Sequence, residues 1–371
     1  MAPPAKVGMV GGGQLARMTH QAAISLAIDL TVLAEAGSPA AQAGARVLEG
    51  RADDPAALRA LAAATDVVTF DHEQVPLAEL EALVAQGRVV RPAPAANRLA
   101  QDKLHARRAF ADLGFPVPAF APATSQVDVD RFAGEHGWPV VLKARSGGYD
   151  GRGVAFVADP ADAAAALVAM GDDAVVEEHV GIARELAVLI ARRPSGETAV
   201  YPVVETRQED AQLRELVVGA SVPQAEALGV RIVELADATG IVAVELFETA
   251  DGSLLVNELA LRPHNSGHWT IEGAGTSQFE QHLRAVLDWP LGATDLNAPA
   301  VATVNVLGED GVDPRAGLPA ALAVPGAHVH LYGKAPRPGR KLGHVTALGG
   351  DVDTALATAH RAVAALEGRS S

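Results

Sequence analysis

The chain has 371 residues, 49% hydrophobic and 20% charged, with a formal net charge of −15 and no cysteine. That length suits two or three domains, and the missing thiols exclude disulfides, thiolate metal sites and cysteine nucleophiles. The acidic balance argues against a nucleic-acid partner. No apolar run reaches the roughly 18 residues of a membrane span, and the opening MAPPAKVGMV lacks a signal-peptide pattern, so the expectation is a soluble, cytoplasmic protein with no membrane partner.

In chain order, residues 6–10 read as a strand ending in three glycines, 14–27 as a helix, and 30–33, 67–70 and 88–90 as further strands. Helical stretches at 55–64 and 77–85 lie between them. This alternation predicts a doubly wound parallel sheet. Arg91-Pro92-Ala93-Pro94 breaks the pattern and marks a first boundary. A helix is expected over 97–113, and strands dominate 140–259 with helices at 160–170 and 223–239. A helix at 278–287 leads to a short strand-rich tail and a last helix at 353–366.

The first turn, Gly11-Gly12-Gly13-Gln14-Leu15-Ala16, fits G-x-G-x-x-A, and Glu35 lies 22 residues past Gly13. That is compatible with a dinucleotide site, with another anion at a helix N-terminus, or with packing alone. A Walker-type loop is absent from the sequence. Instead, the apolar strand 138–143 ends in Lys143, and four glycines fall within Ser146–Gly153. Such a loop brings backbone close to phosphate oxygens, and Lys143 supplies a point charge. Farther on, Asp251-Gly252 predicts a hairpin in which Glu245 and Glu258 face one another. Facing like charges are destabilising, and two carboxylates beside nucleotide phosphates are a usual way to hold Mg²⁺.

Lysine strand, glycine loop, the Glu177-Glu178-His179-Val180 segment with Glu185, and the carboxylate pair follow in the order of the ATP-grasp family, which the chain resembles. Gly-Gly-Tyr-Asp-Gly-Arg-Gly at 147–153, Asn257-Glu258-Leu259-Ala260, His264-Asn265-Ser266-Gly267-His268-Trp269, Gly13-Gln14-Leu15 and Arg337-Pro338-Gly339-Arg340-Lys341-Leu342-Gly343-His344 narrow the resemblance to the 5-(carboxyamino)imidazole ribonucleotide synthases, over about residues 6–345. The resemblance implies a mixed α/β and α+β chain: a doubly wound N-terminal substrate domain (1–96), an ATP-grasp domain (97–298) and a small strand-rich C-terminal domain (299–371).

It also implies roles by position. Arg98, Lys143, the loop Gly148, Tyr149, Asp150, Gly151, Arg152 and Gly153, then Glu177, Glu178, His179, Val180, Glu185, Asn257 and Glu258 would touch ATP. Glu245 and Glu258 would hold Mg²⁺, with Mn²⁺ as the alternative. Gln14, Leu15, Glu73, His264, Asn265, Ser266, Lys334, Arg340 and Lys341 would bind aminoimidazole ribonucleotide, with Arg337 and His344 adding to a basic cluster for its phosphate. Bicarbonate would be phosphorylated to carboxyphosphate, with Lys143 and Arg262 neutralising charge, Asp150 orienting or deprotonating the amine and Arg152 positioning bicarbonate. A homodimer is expected from the same resemblance. Gln208 stands where a histidine is common and Leu261 where a proline is usual. His264 and His268 have a spacing that can bind zinc on a helix, but Pro263 and Gly267 argue against a helix there. The rival readings are a formate-using ATP-grasp ligase and a nicotinamide-dependent oxidoreductase built on the first glycine turn.

Overall fold

The computed structural model describes residues 3–148, 153–171, 173–209, 212–219 and 221–369. Four parallel strands open the chain: β1 (Lys6–Val10), β2 (Asp29–Ala34), β3 (Arg46–Glu49) and β4 (Val67–Phe70), side by side as β3-β2-β1-β4. Val67, Val68, Thr69 and Phe70 are all buried, as a parallel strand covered on both faces requires. The strand expected at 88–90 shrinks to one bridge between Val68 and Val90, because the prolines at 92 and 94 cannot donate to a ladder. β3 escapes the sequence pattern because only four residues, two of them exposed, form this edge.

A four-stranded antiparallel sheet follows: β5 (Phe120–Ala123), β6 (Val140–Ala144), β7 (Val154–Val157) and β8 (Ala174–Glu178), in order β5-β8-β6-β7. Helices Gln126–His136 and Pro160–Ala169 back it through Val129, Phe132, Ala163 and Leu167. The third sheet contains β9 (Ile182–Arg192), β10 (Thr198–Val200), β11 (Val204–Glu209), β12 (Gln212–Val218), β13 (Gly240–Thr249), β14 (Leu254–Ala260), β15 (Ala300–Leu307), β16 (Ala327–Leu331) and β17 (Lys341–Gly349). Its path runs β14-β13-β9-β11-β12-β15-β17-β16, with β10 paired to β9. The strand-rich tail therefore extends the same sheet through the β12–β15 pairing.

The helix expected over 97–113 is two helices, Pro94–Gln101 and Lys103–Asp112. Asp102 ends the first and caps the second: its backbone is extended (φ −116°, ψ 98°) and its carboxylate accepts from His105 N–H at 3.0 Å. A short acceptor at an N-cap competes with continued helix.

Helix Gln278–Val286 joins the first sheet to the third, and seven of its nine residues are buried. Within it, His282 is fully buried and hydrogen-bonded at both nitrogens, to Thr69 Oγ1 at 2.8 Å and from Ile241 N–H at 3.1 Å. Because Nδ1 accepts from a backbone N–H, the ring is neutral with its proton on Nε2, donated to Thr69. Burial pushes this histidine down to about 3 from its ordinary 6.5. The unfolded chain then binds the extra proton first, so stability is full above pH 6.5 and falls as pH drops toward 3. At pH 5 this residue alone should remove about 2 kcal/mol. Urea midpoints at pH 7 and pH 5 should show a steep loss that His282→Gln flattens; an unchanged pH slope in that variant would contradict the assignment.

Candidate nucleotide and ribonucleotide site

The small and large sheets face each other around Lys143. It ends the apolar run Val140-Val141-Leu142 on β6, and its chain is held between β7 and β8. Lys143 Nζ lies 2.8 Å from Glu177 Oε2 and 2.9 Å from Asn257 Oδ1. Glu177, 2% exposed, also accepts from Arg107 Nε at 2.7 Å. Arg107, 3% exposed, donates to the carbonyls of Val256 (3.2 Å) and Asn257 (2.6 Å). Burial pulls Lys143 below the ordinary lysine range; Glu177 opposes that shift and Arg107 adds to it. Burial alone would raise Glu177, but the Lys143 and Arg107 charges and their hydrogen bonds outweigh it and hold the carboxyl low. The network is a desolvated cation anchored from beneath, with a charge stronger than it would be in water.

The carboxylate pair is present, by a route the sequence did not suggest. The turn has three residues, 250–252, closed by Thr249 N–H to Ser253 O at 3.0 Å and Gly252 N–H to Thr249 O at 2.9 Å, with Gly252 at φ +82°. That loop shifts the register by one, so Leu246 pairs with Val256. A bulge next to Glu245 shifts it back, and Glu245 faces Glu258 after all. The extra residue is Asn257. A bulge re-aims neighbouring side chains, and here Asn257 reaches Lys143 while Glu258 reaches Lys103 Nζ at 2.5 Å. Burial and the charges of Glu258 and Glu185 raise Glu245. Glu258 is held low, because Lys103 outweighs its burial. The first proton or cation the pair takes up therefore relieves Glu245.

Glu185 on β9 accepts from Gln208 Nε2 at 2.6 Å, so Gln208 orients this acid where a histidine is common. His179 and Val180 follow β8, and the His179 ring stands edge-on to Phe156 with centroids 5.2 Å apart. Phe156 is 60% exposed in the row of Val141 and Glu177. The Glu178 carboxylate accepts from Ala119 N–H at 2.8 Å, which occupies its side chain structurally. Gly148 and Gly153 bound the glycine loop, and Gly153 O accepts from Ala144 N–H at 2.7 Å. Tyr149, Asp150, Gly151 and Arg152 lie outside the described residues.

Arg98 precedes the helix break at Asp102. It is exposed on helix Pro94–Gln101, and no hydrogen bond or ion pair links it to this cleft among the described residues. Lys103, one helix later, is the cation that reaches the acids. The Asp102 break sets the start of the second helix, so that Lys103 faces the acids.

The glycine turn is already filled. Gly13 N–H donates to Asp71 Oδ2 at 2.6 Å, and a Cβ on Gly11 (φ +105°) would lie 1.7 Å from Asp71 Oδ1. Asp71, at the end of β4 and 7% exposed, thus sits where a dinucleotide pyrophosphate would approach, which removes the oxidoreductase reading. Gln14 beside it accepts from Lys334 Nζ at 2.5 Å, joining the first helix to the C-terminal strands. Leu15 packs its side chain with Met18, Phe279 and Tyr332, so only its backbone can serve a ligand.

Arg262 pairs with Glu73 at 2.9 Å, and the other Glu73 oxygen is buried without a partner among the described residues. His264 Nε2 lies 3.4 Å from Glu245 Oε1 and its Nδ1 lies 2.8 Å from Ser266 Oγ, tying the two halves of the cleft. Gln278, fully buried, fixes this segment: it accepts from His264 N–H at 2.8 Å, donates to His264 O at 2.7 Å and contacts His268 Nδ1 at 3.1 Å. Asn265 and Ser266 form a 3₁₀ turn with Gly267, where a Cβ would lie 2.4 Å from Gln278 Oε1. His268 is buried and pulled well down by burial, and no cluster of three metal-ligating side chains occurs among the described residues.

Lys341 begins β17, nearly buried, and Arg340 donates to Ala335 O at 3.2 Å. Arg337 is exposed. His344 does not belong with these cations. It is fully buried, accepts or donates at Tyr332 OH (2.7 Å), stacks on His330 at 4.5 Å, and burial pulls it well below the ordinary histidine range. Both faces of β17 are covered here, and His344 is held inside opposite His330 and against Tyr332.

Two sheets closing on a buried lysine, with a carboxylate pair opposite, define an ATP-grasp protein, and the ATP-grasp domain model matches residues 108–279. It is flanked by matches to the ribonucleotide synthetase preATP-grasp domain at 4–101 and the phosphoribosylaminoimidazole carboxylase C-terminal domain at 301–358. The chain belongs to the N5-carboxyaminoimidazole ribonucleotide synthase family. It is 50% identical over 367 residues to the synthase of Mycobacterium tuberculosis, spanning 93% of this chain and 84% of that protein. The synthetase structure from Thermus thermophilus is 38% identical with a TM-score of 0.86, over 98% of each chain. The Aspergillus clavatus synthase in complex with ADP and 5-aminoimidazole ribonucleotide is 32% identical with a TM-score of 0.91, over 98% of this chain and 99% of that one.

Proposed function

We propose that this chain uses ATP and bicarbonate to carboxylate 5-aminoimidazole ribonucleotide to its N5-carboxy derivative in purine biosynthesis. The observation that carries the reading is the buried Lys143–Glu177–Arg107 network opposite Glu245 and Glu258, in a chain related along nearly its whole length to synthases of that name. In the first half-reaction a bicarbonate oxygen attacks the γ-phosphorus, the bond to ADP breaks, and carboxyphosphate forms. Lys143 holds a preorganised positive charge where negative charge develops on the transferring group, and Arg262 adds a second. In the second half the ribonucleotide amine attacks the carboxyl carbon and inorganic phosphate leaves. Asp150 orients or deprotonates that amine and Arg152 positions bicarbonate.

Glu245 and Glu258 would hold the divalent cation, Mg²⁺ or Mn²⁺; the Lys103 ammonium 2.5 Å from Glu258 is a stand-in charge that supports the fit. When bound, the ion neutralises phosphate oxygens. Glu185, oriented by Gln208, suits the ribose hydroxyls, and the backbone of 177–180 suits the adenine edge. Arg98 is assigned to ATP, as the family resemblance implies, with Lys103 beside the carboxylate pair. Gln14, the Leu15 N–H, Lys334, Arg340 and Lys341 surround the ribonucleotide phosphate, while Glu73, His264, Asn265 and Ser266 line the rest. This assigns the nucleotide to unit 97–298 and the ribonucleotide to units 1–96 and 299–371 together with the 264–266 segment. The same reading includes a homodimer, from family resemblance, in the cytoplasm. No described helix is long and apolar enough to cross a membrane.

ADP release tests the substrate directly. With ATP, Mg²⁺ and bicarbonate, it should rise strongly only on adding the ribonucleotide. A protein that binds ATP but shows no stimulation would remove this substrate.

A further inference from the structure

Glu245 and Glu258 stand opposite each other on adjacent strands, which costs free energy unless a positive charge lies close. In the structure that charge belongs to the protein itself. Lys103 Nζ is 2.5 Å from Glu258 Oε2, with only 19% of the lysine side chain exposed. Its backbone is fixed on the opposite wall. Asp102 caps helix Lys103–Asp112 and grips Arg145 through both carboxylate oxygens, at 2.9 and 2.8 Å, and Lys103 N–H donates to Arg145 O at 2.9 Å. The ammonium can therefore leave Glu258 by side-chain rotation alone, while the helix stays put. A divalent cation entering the pair would sit close to the ammonium at Glu258 Oε2, and two cations that near one carboxylate repel.

We propose that Lys103 is a resident counter-ion that keeps free divalent metal off the Glu245–Glu258 pair, so that metal enters together with the nucleotide and not before it. The inference rests on the reading of this pair as the metal site. A bare metal ion offers nothing to receive the displaced ammonium. A triphosphate does, since a lysine ammonium is a compact charge on a flexible stem, and its oxygens also complete the six-fold shell that Mg²⁺ demands.

The test is Mn²⁺ binding to the full chain, read from the magnetic-resonance signal of free aqueous Mn²⁺. It is measured alone and with a non-hydrolysable ATP analogue, after allowing for metal the analogue binds in solution. Wild-type protein should bind Mn²⁺ weakly alone and more tightly with the analogue. Lys103→Met should bind Mn²⁺ alone about fivefold tighter than wild type, the upper end of the range for ion pairs, and adding Glu258→Gln should abolish the gain. Lys103→Gln repeats the measurement if the methionine variant fails to give a normal melting curve. Tight binding to wild type without analogue, unchanged by either lysine substitution but lost in Glu258→Gln, overturns the counter-ion and leaves the metal pair standing. Binding that Glu258→Gln does not touch under any condition overturns the pair and this inference with it.

Discussion

Lys143→Met is expected to lower kcat/KM for ATP by about 10²–10³-fold, the usual effect of removing one preorganised electrostatic contact to a developing charge. The protein should remain folded, because Glu177 keeps its bond to Arg107 at 2.7 Å when the lysine is gone. Burial makes the effect large: Lys143 is 8% exposed, and water cannot replace its charge there. The check is steady-state ADP release beside a melting curve. A folded variant within tenfold of wild type would show that Lys143 acts only structurally.

Arg107→Met should be the most destabilising single change in the cleft. It leaves Glu177 buried with Lys143 alone and removes the donor from the carbonyls of Val256 and Asn257. Breaking a buried pair by removing one partner costs about 3–5 kcal/mol, readable in urea denaturation. Because those carbonyls flank the bulge that brings Asn257 and Glu258 to the cleft, the variant should also lose ATP affinity before it unfolds. Wild-type stability would mean that the Lys143 bond suffices for Glu177, and the network would not be the anchor described here.

Much of this was legible in the residues. The parallel first sheet followed from strand–helix alternation, and the facing acids followed from Asp251-Gly252. The second inference reached the right pair through an incomplete mechanism, since two compensating register shifts, a three-residue loop and a bulge at Asn257, are invisible to a spacing rule. Arg107 was missed because a buried arginine on a helix looks like any other in sequence; only the fold brings it to a glutamate 70 residues away. Lys103 was hidden by the helix break at Asp102. His344 misled for the opposite reason: it falls among basic residues in the chain, yet both faces of β17 are buried there and it packs against Tyr332. The glycine turn was ambiguous in sequence because its decisive partner, Asp71, comes 58 residues later.

Oxygen transfer from bicarbonate tests most directly the claim that this chain spends ATP on bicarbonate. With ¹⁸O-labelled bicarbonate, ATP, Mg²⁺ and the ribonucleotide, attack of a bicarbonate oxygen on the γ-phosphorus, followed by transfer of the carboxyl carbon to the amine, leaves one labelled oxygen on the phosphate released. One ¹⁸O per inorganic phosphate is the predicted result. Phosphate without ¹⁸O, its fourth oxygen taken from solvent, formed at full turnover of the ribonucleotide, would contradict it.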